Sequence, residues 1–126
     1  MEQNELNAIA DELFAAVAAG DVDRVRAIYA EDVSVWNNVS QRSLNRDENF
    51  RLIARFTSRV SDMRYEVHER EFFPGGFVQR HTLHGKLASG ESLTVPVCIM
   101  IHAANGKIER IFEYLDSAAV APAFPR

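Results

Sequence analysis

Cysteine is almost missing from this chain, with Cys98 the only one in 126 residues. A single thiol excludes an intrachain disulfide and any zinc site built on several cysteines. Set between Val97 and Ile99, it is expected to be buried and inert. Basic clusters are missing too. Arg42 and Arg46 run straight into Asp47 and Glu48, and the formal net charge is −4, so the basic face of a general nucleic-acid binder is not there. The most apolar run, Val95 to Ile101, falls far short of the roughly 20 residues of a spanning helix. The opening Met1-Glu2-Gln3-Asn4-Glu5 is acidic, the opposite of a signal peptide's basic start. These absences lead us to expect a soluble, cytoplasmic protein with neither a nucleic-acid nor a membrane partner. A phosphate-cradling glycine loop, a nucleophile elbow and an internal repeat are absent as well.

What is present is an ordinary globular composition, 47% hydrophobic and 25% charged. At this length one domain over residues 1–126 is expected, burying roughly two-thirds of its unfolded surface. Leu6, Ile9, Ala10, Leu13, Phe14 and Val17 fall at helical spacing and predict a first helix from about Asn4 to Ala19. Gly20 ends it and Asp21 caps a second, shorter helix with Val22, Val25, Ile28 and Tyr29 inward. Val33 to Val39 reads as a strand and Ser40 to Asn45 as a polar connection. Asn45 and Glu48 have capping-box spacing ahead of a third helix, with Phe50, Ile53, Ala54, Thr57 and Val60 inward.

Beyond Ser61 the helical period gives way to alternation. Strands are expected near Tyr65–Glu71, Phe77–His84, Ser92–His102 and Lys107–Leu115. Turns at Pro74-Gly75-Gly76, Ala88-Ser89-Gly90 and Asn105-Gly106 join them as hairpins. Residues 116–126 read as an Ala- and Pro-bearing tail, with Asp116 a cap or turn residue. Helices gathered early and a meander late predict an α+β domain. Its shape would be a cone, three N-terminal helices packed on a strongly curved, mostly antiparallel sheet, with a small-molecule pocket between the layers.

The strand Phe77–His84 is the natural floor of that pocket. Val78, Arg80, Thr82 and His84 share one face, and the guanidinium, hydroxyl and imidazole in register suit a polar floor. Glu113 alternates with Ile111 and Leu115 and is expected to point inward. A buried carboxylate is costly unless paired, and Arg80 is the expected partner, within hydrogen-bond reach. Two readings of that pair stand: a structural brace, or a general acid–base held by its arginine. His84 is either an auxiliary acid–base group or a solvated strand-end residue. His68, His81 and His102 lack metal-ligand spacing and read as surface or strand-face residues.

Ala19-Gly20-Asp21-Val22-Asp23, Ile28-Tyr29-Ala30-Glu31-Asp32-Val33 and Val35-Trp36-Asn37-Asn38 resemble the nuclear transport factor 2-like superfamily. Ile108-Glu109-Arg110-Ile111-Phe112-Glu113-Tyr114-Leu115-Asp116 is similar to the closing strand of its SnoaL-like members. The resemblance implies the cone fold and leaves function open, because the superfold holds many chemistries and some proteins with none. The ketosteroid isomerase branch would place its tyrosine at Leu13, its base at Asn37 and its sheet acid near Cys98, so none of its three roles survives. The limonene-epoxide hydrolase branch is closer. Trp36 and Asn38 fit its aromatic-x-Asn positions, with Asn37 the alternative, Arg80 fits its arginine and Glu113 the acid of the last strand. Thr82, however, stands where the water-activating aspartate belongs, and a hydroxyl has no useful basicity near neutral pH. Trp36 supplies an indole N–H rather than a phenolic hydroxyl.

The resulting expectation is an enzyme without metal or cofactor acting by proton transfer on a small hydrophobic, oxygenated molecule. Glu113, Arg80 and His84 would be catalytic, and Trp36, Asn38, Asn37 and Thr82 would position substrate. The alternative is a non-catalytic ligand-binding or dimerisation module. In either case the sheet face away from the helices suits a homodimer.

Overall fold

The computed structural model describes residues 1–124. Helix α1 (Gln3–Ala18) buries Leu6, Ile9, Ala10, Leu13 and Phe14. Gly20, at φ +68°, makes the left-handed step that ends it, and the Asp21 carboxylate accepts from the Arg24 N–H to cap α2 (Val22–Ile28). Strand β1 (Tyr29–Asn37) begins four residues before the predicted Val33. Tyr29 leaves the helix because it pairs with Ile108 and buries its ring among core side chains. The predicted polar connection contains a two-residue strand, β2 (Ser43–Leu44), before α3 (Arg46–Arg59), whose Asn45–Glu48 capping box forms as expected.

Four strands follow as a meander: β3 (Val60–Phe73), β4 (Gly76–Leu87), β5 (Ser92–Ala104) and β6 (Lys107–Leu115). Val60, read in the sequence as helical, opens β3 instead. The expected tail carries a short helix, α4 (Ser117–Val120), capped by Asp116, and then a 3-10 turn, Ala121–Ala123. The last two tail residues, Pro125 and Arg126, lie outside the described residues.

The sheet has the order β2-β1-β6-β5-β4-β3 and does not close. All pairs are antiparallel except β1 with β6. The helices cover one face, where Leu93, Val95, Val97, Ile99 and Ile101 of β5 pack with Phe14, Val33 and Ile111. The other face has no helix over it. It carries the exposed apolar side chains Met100 and Tyr114.

Candidate functional site

Pairing across β4, β5 and β6 decides which side chains enter the interior. Gln79 pairs with Ile99, and Ile99 with Glu113, so these three form one row on the helix-covered face. Arg80, Cys98 and Tyr114 form the adjacent row, on the opposite face. The expected Arg80–Glu113 pair therefore does not form, because the sheet separates the two side chains. Arg80 Nε instead donates to Glu69 Oε1 on the outer face at 3.0 Å.

The same alternation moves the rest of the expected polar floor outside. His84 Nε2 lies 2.8 Å from Glu66 Oε1, and Thr82 Oγ1 lies 2.8 Å from His68 Nε2. Trp36 packs against Phe112 and Tyr114. Asn38 turns its side-chain amide to the backbone of the closing strand. Its amide donates to the Leu115 carbonyl at 3.0 Å and accepts from the Leu115 N–H at 2.9 Å, clasping the ends of β1 and β6. Asn37 lies beside Glu113 in the parallel pair, but its Oδ1 is taken by the Val39 and Ser40 N–H groups of the following turn. Cys98, expected to be buried, is exposed. Arg80, Thr82 and Asn38 do share a hollow of ≈ 490 Å³ with His68, Cys98 and Tyr114, on the outer side of the sheet.

Within the interior the polar groups are different ones. Glu113 is half-buried, and no described side chain hydrogen-bonds to its carboxyl group. Burial pushes its pKa up to about 7, so near neutrality it exists in both protonation states. Tyr29 and Tyr65 stand close enough to feel its charge, but burial is the larger cause of their raised pKa values, and both stay phenols. The Tyr29 hydroxyl donates to Asn49 Oδ1 at 2.8 Å, deep in the core. Ile53, Phe56, Tyr65, Leu115 and Phe124 pack on the core yet keep accessible surface.

His81, read in the sequence as a surface or strand-face residue, is 2% exposed. Its Nδ1 lies 2.8 Å from Gln79 Nε2. Gln79 Oε1 accepts from Arg70 Nε at 2.7 Å, and Arg70 reaches Asn7 and Asp11 of α1. Burial, then the charges of His68 and Arg70, hold His81 down to a pKa of about 4. Gln79, His81, Arg70 and Tyr65 were missed as interior groups. The two large apolar residues beside them on β4, Phe77 and Leu83, were the available sign that theirs is the inner face.

Residues 10–111 match the SnoaL-like domain. The chain belongs to this family. Solved structures superpose on the chain over most of their length. Wild-type IdmH, a putative polyketide cyclase from Streptomyces antibioticus, aligns at 14% identity and TM-score 0.83, over 97% of this chain and 98% of that one. A limonene-epoxide-hydrolase-like epoxide hydrolase from M. tuberculosis aligns at 17% identity and TM-score 0.77, covering 95% and 89%. An NTF2-like protein of unknown function from Burkholderia pseudomallei K96243 aligns at 19% identity and TM-score 0.82, over the whole of both chains. At these identities the likeness establishes the nuclear transport factor 2-like fold. A comparison with curated proteins found no match.

The SnoaL-like interior thus offers a carboxyl group near its midpoint of titration, two phenols and a neutral imidazole in an apolar layer. Such a set can donate, accept and relay protons. Among the described residues no three His, Cys, Asp or Glu side chains come together as a metal cluster.

Proposed function

We propose that this SnoaL-like domain is an enzyme that moves protons on a small hydrophobic, oxygenated molecule, with Glu113 as its general acid–base. The observation that carries the reading is the solitary carboxyl group. An inward-facing carboxyl kept for architecture is normally paired or hydrogen-bonded, whereas that of half-buried Glu113 meets no described side-chain partner. A pKa of about 7 suits it to give and take a proton at neutral pH. The similarity in fold to a putative polyketide cyclase and to an epoxide hydrolase supports an oxygenated substrate. Arg80 and His84, on the outer face, have no place in this chemistry. Asn37 is the one substrate-positioning candidate left beside the carboxyl.

The test is solvent deuterium exchange into a panel of small cyclic ketones, together with hydrolysis of small cyclic epoxides, by the wild type and Glu113→Gln. The variant keeps the shape and should lose at least about a hundredfold in turnover, the usual share of a general acid–base. Equal turnover in folded Glu113→Gln would remove the role.

The uncovered sheet face supports a second element of the proposal, a homodimer joined through it. Met100 and Tyr114 are exposed there, and Tyr114 lines the outer hollow. Sedimentation at micromolar concentration should give twice the chain mass, and a monomer would exclude the dimer.

A further inference from the structure

His81 carries the one buried polar side-chain atom that meets no hydrogen-bond partner among the described residues, its Nε2. Its proton can be placed by elimination along a chain of contacts. Arg70 Nε can only donate, so the oxygen of the Gln79 amide must face it, at 2.7 Å. The amide nitrogen of Gln79 is then the atom 2.8 Å from His81 Nδ1, and an amide NH₂ only donates. Nδ1 must therefore be the bare acceptor nitrogen, and the ring proton of the neutral imidazole sits on Nε2. Arg70 is itself fixed by α1, with Nη1 2.6 Å from Asn7 Oδ1 and 2.8 Å from Asp11 Oδ1. The consequence is an N–H group with a set direction and nothing polar to receive it.

Leaving a buried donor unmet is costly, and the chain devotes four polar side chains to maintaining this one. Phe14 and Tyr65 pack against the ring, with centroids 5.2 Å and 5.0 Å away and ring planes at 65° and 85°. An N–H over an aromatic face is a weak contact, and Tyr65 itself keeps accessible surface. We infer that His81 is a neutral N–H donor for an acceptor oxygen, such as a ketone carbonyl, on the molecule bound in the interior, its tautomer locked from α1 through Arg70 and Gln79. The inference rests on the proposed use of the interior as the ligand site, and it holds whether or not Glu113 is the acid–base group. It narrows the substrate class to compounds whose oxygen accepts a hydrogen bond at the β4 side of the layer.

The test pairs 1-indanone, which has a carbonyl, with indane, which has the same rings and none. Long-range proton–nitrogen spectra of the ligand-free protein should show His81 protonated on Nε2. In Gln79→Glu, whose carboxylate has acceptors only, the proton should move to Nδ1. Indanone should shift the Nε2 resonance where indane does not. In His81→Phe, an apolar side chain of similar bulk, indanone should bind about tenfold more weakly, as the loss of one neutral hydrogen bond implies, while indane changes less than about twofold. Glu113→Gln should keep this selectivity even with all turnover gone, which separates the two proposals. Arg70→Met, which frees the Gln79 amide to rotate, replaces Gln79→Glu if that variant does not fold, and should give mixed tautomers. A proton on Nδ1 in the wild type, an unmoved tautomer in the Gln79 or Arg70 variant, equal loss of both probes in His81→Phe, or no binding of either probe would overturn the inference. A ring-to-ring contact without a ligand role would give that equal loss.

Discussion

Between about pH 4.5 and 6.5 the stability of the wild-type protein should barely depend on Glu113 and His81 together, although each alone imposes a steep slope. Glu113 rises from 4.5 to about 7 on folding. In that interval the unfolded chain gives up the proton while the folded one keeps it, so stability present at low pH is lost as pH rises. His81 falls from 6.5 to about 4. The unfolded chain there gains a proton that the folded one refuses, so stability present at high pH is lost as pH falls. Each slope is about 1.4 kcal/mol per pH unit, and over the shared window each amounts to about 3 kcal/mol of opposite sign. Single variants should uncover what the wild type hides. Glu113→Gln should gain about 3 kcal/mol of stability from pH 4.5 to 6.5, and His81→Phe should lose about as much. Urea unfolding at half-unit steps of pH measures both curves against the wild type. The shifts of Glu66 and His102 are common to all three proteins and cancel in the difference. Parallel curves for the three proteins would show that neither group is titrated by folding, and would remove the physical basis for calling the interior a site.

Three further outcomes follow from the geometry. Arg80→Ala should cost less than about 1 kcal/mol in urea unfolding, because its pair with Glu69 is solvent-exposed, the side chains being 59% and 48% accessible. Asn38→Ala should cost about 1–3 kcal/mol by thermal or urea unfolding, since the two bonds to the Leu115 backbone vanish together. Gly76→Ala should be the most damaging, above about 3 kcal/mol or failing to fold on expression, because the added Cβ would stand 2.1 Å from the Ile101 carbonyl oxygen.

The helices, the meander and the α+β class were legible because each rests on local chemistry: helical spacing, an Asn45–Glu48 box, an Asn105-Gly106 turn. Two boundaries were not, since Tyr29 and Val60 satisfy helical spacing as well as strand pairing, and only their partners Ile108 and Leu87 decide. The face of β4 was misjudged for a different reason. Guanidinium, hydroxyl and imidazole together look like a site, but a site is defined by which way a strand faces. That direction was readable. The Ala88-Ser89-Gly90 turn centres the hairpin on Ser89, and residues equidistant from Ser89 pair, setting Gln79 opposite Ile99. Since Ile99 belongs to the clean apolar stripe of β5, Gln79 and His81 had to be inside. What no local pattern holds is the path Asp11–Arg70–Gln79–His81, whose Asp11–Arg70 link ties α1 to the distant β3–β4 hairpin.

The position of β6 has a consequence for how the chain assembles on the ribosome. It follows the other five strands in sequence, yet it lies between β1 and β5 and, among the described residues, is the one link joining β1 and β2 to the meander within the sheet. The β3–β4 and β4–β5 hairpins can close as soon as their residues emerge. β1, with α1 and α2 before it, finds no long strand beside it until synthesis has passed Leu115. Closing the loop from Tyr29 to Ile108 is a high-contact-order step, of the kind that slows folding. Until it closes, β6 keeps an unpaired edge, the kind of exposed strand that favours aggregation.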